Sequence, residues 1–121
     1  MENDRWLRMR APLLVATFVT LGFAGCISLP EPRLEDVAHA QDAYPGTTLA
    51  SLTESRRVYV RICSGCHALR LPKEFPAARW PSLVDEMVTV QKVRLSPEQR
   101  RQIDEFLIVM AESKGEGASR Q

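Results

Sequence analysis

The chain has 121 residues, enough for one domain and no more. Its formal net charge of +1 excludes a strong electrostatic pull toward nucleic acid or any other polyanion. A continuous apolar block at residues 11–24 stands apart from a second apolar population that begins near Leu49. The folded unit is therefore confined to roughly 60 residues, a size at which a core is marginal without a staple, a metal or a cofactor.

Residues 1–25 read as a bacterial export signal. Arg5, Arg8 and Arg10 precede APLLVATFVTLGFA, whose length suits the apolar part of a signal and is short for a membrane-spanning helix. The block ends in FAGC, where small Ala24 and Gly25 precede Cys26. This resembles the lipobox of bacterial lipoproteins, with Phe23 where an aliphatic residue is usual. The resemblance implies that Cys26 is acylated and becomes the first residue of the mature chain. Cysteine arithmetic agrees: if the other two cysteines serve one group, Cys26 would otherwise be a stray thiol in an oxidising compartment. The alternative is an uncleaved single-pass anchor in which Cys26 is a buried thiol. Ile27 stands where an Asp would resemble an inner-membrane retention signal, which points toward the outer membrane.

Residues 26–50 carry Pro30, Pro32, Pro45 and Gly46, and no helical or strand period survives for long. They are expected to form a flexible tether between lipid and domain. The domain is expected at 51–110, followed by a polar, glycine-containing, disordered tail at 111–121. Three helical patterns fill it. In residues 51–63, Ser51 and Glu54 have capping-box spacing, and Val58, Tyr59 and Ile62 share a face. In RWPSLVDEMVTV, Pro81 suits the first helical turn, and Trp80, Leu83, Val84 and Met87 follow helical spacing. In residues 96–112, Ser96 and Gln99 form a capping box ahead of the stripe Ile103, Phe106, Leu107 and Met110. No strand pattern competes, so the fold class is all-α.

The chemistry is concentrated in Cys63-Ser64-Gly65-Cys66-His67, the attachment signature of haem c. Two thiols one tight turn apart can each form a thioether with a haem vinyl group, and the adjacent histidine can then ligate the iron as its proximal ligand. Three rivals use the same residues. A thioredoxin-like redox pair needs a βαβ context that the pattern lacks. A zinc site needs further ligands, and His39 lies in the expected tether. A Cys63–Cys66 disulfide is the third.

The run from Ser55 through Tyr59 to CSGCH resembles the opening of the class I cytochrome c family. That family has a small residue eight positions before the first cysteine, usually Gly, and an aromatic four before it. Phe106-Leu107 matches the aromatic–Leu pair of the family's last helix. The resemblance spans about residues 51–110 and implies a small domain of about three helices around one covalent haem. It also implies that the first and last helices cross closely at the small residue.

The sixth iron ligand decides between a closed electron-transfer site and an open, ligand-binding one. Met87, Met110 and His39 are the candidates in the mature chain. The segment from Trp80 to Met87 resembles short monohaem domains in which a tryptophan precedes a helical methionine ligand. It implies Met87 as distal ligand, with Trp80 packing on the porphyrin. Plain core packing is the competing role for Met87. Met110 is explained as the end of its helix's apolar stripe.

The expected function is one-electron transfer by a lipid-anchored periplasmic cytochrome with protein redox partners and no independent catalysis. A haem-based sensor or a fixed haem subunit of a larger redox enzyme are the alternatives. Arg70, Lys73, Arg79, Lys92 and Arg94 give a local basic excess that could steer an acidic partner or merely form a solvated face.

Overall fold

The computed structural model describes residues 28–114. The expected signal at 1–25, Cys26 and residues 115–121 of the expected tail lie outside them. Four α-helices follow in order: α1 (Leu34–Ala40), α2 (Leu49–Cys63), α3 (Trp80–Thr89) and α4 (Pro97–Glu112). Two single-turn 3-10 helices, Pro72–Glu74 and Ala77–Arg79, lie between α2 and α3. Among the described residues there is no strand, as the pattern predicts, and no helix is long and apolar enough to cross a membrane.

Helix α4 is the hub. Helices α1, α2 and α3 and both 3-10 turns pack against it, with α2 making the largest contact. Its start is the expected one: the Ser96 hydroxyl accepts from Gln99 N at 3.1 Å and Gln99 Oε1 accepts from Ser96 N at 2.9 Å. Such a reciprocal cap satisfies two otherwise orphaned amides, each contributing on the order of 1 kcal/mol. The stripe Ile103, Phe106, Leu107 and Met110 is buried throughout, none of them more than 3% exposed. At about 1.5–3 kcal/mol per fully buried side chain of this size, that stripe is the main apolar term of the fold.

Helix α2 starts two residues earlier than its sequence pattern indicates. The reciprocal cap is Thr48 with Ser51, at 3.1 and 2.9 Å, rather than Ser51 with Glu54. Thr48 has the extended backbone that a cap requires (φ −120°, ψ 163°), whereas Ser51 is already helical. The α2–α4 crossing forms at Ser55, which is 1% exposed, and one turn later Tyr59 meets Phe106 with ring centroids 5.7 Å apart. An aromatic pair of this kind contributes about 0.5–1.5 kcal/mol beyond the area it buries.

The tether expectation is corrected for residues 28–50. Leu34–Ala40 is helical, and the segment is bound to the domain along its length. Ala40 is buried and Val37 packs against the core. Asp36, 3% exposed, accepts from its own cap amide, Arg33 N, at 2.7 Å and from the hydroxyl of Ser113. That bond also corrects the start of the expected tail, because Ser113 is buried against α1. Further along, the Thr47 hydroxyl donates to Glu105 Oε1 at 2.6 Å. A helix of seven residues is too short to stand alone, so these tertiary bonds, not propensity, hold α1 in place.

Glu105 is the most consequential buried polar group. It is 1% exposed in the α2–α4 interface and accepts from Thr47, from the Ser55 hydroxyl at 3.2 Å and from Arg101 Nη1 at 3.2 Å. Burying a carboxylate is costly unless it is paired and hydrogen-bonded, and here it is both.

Candidate haem-attachment site

Cys63 is the last residue of α2. The helix closes through Ser64, whose N–H donates to Val60 O at 3.1 Å, and residues 64–66 form the turn that follows. Both thiols are free: Cys63 is half-buried against the core, and Cys66 is exposed. Burial pushes the Cys63 thiol up to about 11, and the neighbouring Cys66 adds to the rise. Cys63 also stands at the negative end of its helix, where a thiolate is disfavoured. A redox pair of the thioredoxin kind needs the reverse, a thiol lowered at a helix N-terminus or by a neighbouring cation.

His67 is exposed, and its Nδ1 lies 2.7 Å from the carbonyl oxygen of Ala68. A carbonyl can only accept, so in this contact Nδ1 is the donor. A backbone acceptor of this kind commonly orients a ligating histidine. Among the described residues no three His, Cys, Asp or Glu side chains converge as a bare-ion site would require. Iron already held by a porphyrin asks for only one protein ligand on each face. The donor set therefore fits a haem: two free thiols at the required spacing, one half-buried and one exposed, and an exposed imidazole.

Two ring donors fix the chain that leaves this motif. The Tyr59 hydroxyl donates to Arg70 O at 2.8 Å, and Trp80 Nε1 donates to Pro72 O at 2.8 Å. Burial pushes the Tyr59 phenol up to about 12, helped by the nearby Cys63. Trp80 is 4% exposed and meets Phe75 edge-on, with centroids 5.2 Å apart. The indole expected to pack on a porphyrin is thus already engaged in the protein core, pinning the 3-10 turn at residue 72. Pattern analysis gave neither of these bonds, because their acceptors are backbone carbonyls that leave no mark in the sequence.

The expected inward face of α3 divides in two. Trp80 and Val84 are buried, whereas Leu83 and Met87 are half-buried. Helices α2 and α3 are each packed on α4 rather than on one another. Of the other candidate ligands, Met110 is 3% exposed within the core, and His39 Nε2 lies 3.3 Å from Glu112 Oε2. A cavity of ≈ 220 Å³ lies elsewhere, between residues 28–36 and 71–73, and neither cysteine of the motif lines it.

Among the basic residues around the motif, Arg70 pairs with Glu74 at 3.4 Å, and Lys92 Nζ donates to Thr89 O at 2.6 Å. Comparison with family models, with curated proteins and with solved structures returns no match for this chain.

Proposed function

We propose that the domain is a monohaem c-type cytochrome that transfers single electrons at a bacterial membrane surface. The observation that carries this reading is the presentation of CSGCH at the C-terminal end of α2. Cys66 and His67 are exposed there, and His67 Nδ1 lies at hydrogen-bond distance from Ala68 O. Cys63 and Cys66 would hold the haem through thioethers, and His67 Nε2 would ligate its iron. Met87, half-buried on α3, is the proposed distal ligand. The bound group would supply a one-electron couple. The protein's part would be to keep His67 and Met87 in place as the charge changes. The hydrogen bonds of Tyr59 and Trp80 to the chain beyond His67 serve that rigidity. Partners on this reading are donor and acceptor proteins, with Cys26 as the lipid attachment point.

The test is an absorption spectrum of the chain matured with haem, oxidised and reduced, beside its Met87→Ala variant. Covalent haem with a low-spin iron, and a sulfur-to-iron charge-transfer band lost in the variant, is the expected result. A high-spin parent that takes up carbon monoxide readily would replace electron transfer with small-ligand binding. No covalent haem at all would remove the reading.

A further inference from the structure

The chain between the presumed lipid and the domain is far shorter than the sequence indicates. Arg56, in the middle of α2, grips it: Nη2 donates to Leu29 O at 3.1 Å, Nε donates to Pro30 O at 3.0 Å, and Nη2 pairs with Glu31 at 2.8 Å. Leu29 packs against the core and Pro32 is buried. From Leu29 to Thr48 the backbone is tied down by Arg56, Asp36–Ser113 and Thr47–Glu105 in turn. Only Ile27 and Ser28 separate Cys26 from the first gripped residue.

We infer that the face formed by residues 28–34 and Arg56 is a membrane seat, which holds the domain against the bilayer with one side down. The inference rests on acylation of Cys26. Three residues reach at most about 10 Å when fully extended. The interfacial layer outside the hydrocarbon is about 5–8 Å deep on each side. A lipid on Cys26 therefore leaves Leu29 at the headgroups with almost no slack.

A second feature of that face agrees. Leu34, in the first turn of α1, is 73% exposed, more than any other large apolar side chain described. The charges around it balance, with Arg33 beside Glu35 and Arg56 beside Glu31. The seat thus needs no anionic lipid: the short leash and one apolar side chain define it. Along α2 the motif lies about 10 Å from Arg56, at 1.5 Å per residue. A group attached there is held at a fixed height, which suits partners at the membrane rather than ones deep in the aqueous space.

The test uses the full chain, matured and reconstituted in phosphatidylcholine vesicles. A nitroxide is placed at Leu34→Cys or, for comparison, at Val90→Cys, the other strongly exposed apolar position. Accessibility to oxygen is read against accessibility to a water-soluble nickel chelate. The label at position 34 should favour oxygen and the label at 90 the chelate, with no change when anionic lipid is added. Inserting a Gly-Ser spacer of about ten residues after Ile27 should abolish the bias at 34.

Vesicle-bound protein whose two labels behave alike would overturn the seat while leaving the anchor intact. A bias that survives the spacer would overturn the leash as its cause. If the chain fails to float with vesicles and Cys26 carries no acyl mass, the anchor reading fails and takes the seat with it. The haem spectrum reports separately on the electron-transfer reading.

Discussion

The two ends of α2 lie in different surroundings. Its first half crosses α4 at Ser55, backed by fully buried Leu52 and tied through Glu105 to Thr47. Its last turn ends at a half-buried cysteine beside half-buried Ile62, an exposed turn and an exposed histidine. Leu83 and Met87 on α3 are half-covered in the same way. One region is complete as protein. The other has its backbone fixed by Tyr59 and Trp80 while its apolar side chains remain partly in water. The difference suggests a division of labour, in which the first region carries stability and the second is preorganised for a group that adds apolar area of its own.

The largest test of that division is Phe106→Ala. It removes a side chain with no exposed surface and should cost about 3–5 kcal/mol in urea unfolding, with or without haem. Next comes Glu105→Ala, which strands the buried Ser55 hydroxyl, while Thr47 keeps Tyr44 O and Arg101 keeps Glu98; a loss of about 1–3 kcal/mol is expected by the same assay.

Tyr59→Phe should cost about 1 kcal/mol through the lost bond to Arg70 O. It also has a pH signature. The folded phenol is raised to about 12 from its ordinary 10, so its contribution is whole below pH 10. It falls away as pH rises toward 12, because the unfolded state releases its proton first. Stability of the parent should therefore decline across that window, and the Phe variant should show a shallower decline.

The smallest effect sharpens the contrast most. Leu83→Ala should cost under about 1 kcal/mol in the haem-free chain, since a half-exposed side chain forfeits little burial. A larger cost in the haem-loaded protein, measured by the same urea titration, would show that the group completes this face.

The sequence made some elements legible and hid others for physical reasons. Helix α4 was readable because its cap and stripe are local: Ser96, Gln99 and four apolar residues within one helix specify it. Helix α3 announced itself through Pro81 and its apolar spacing. Helix α1 did not, because it is under two turns long and its decisive contact is Asp36 with Ser113, which are 77 positions apart. Glu105 stands four residues after Arg101, and nothing in the sequence placed Thr47 and Ser55 around it. The CxxCH spacing was plain in the sequence. The contact of His67 with the Ala68 carbonyl was not, since every residue carries such an acceptor.

The buried carboxylate of Glu105 also bears on how long the protein stays folded. Its partners Thr47 and Ser55 lie 58 and 50 positions earlier in the chain, so these bonds close only after distant segments have met. Interactions formed after the folding barrier slow unfolding without speeding folding. If these bonds close after that barrier, Glu105 is a latch: its loss would shorten the lifetime of the native state and leave the rate of its formation nearly unchanged.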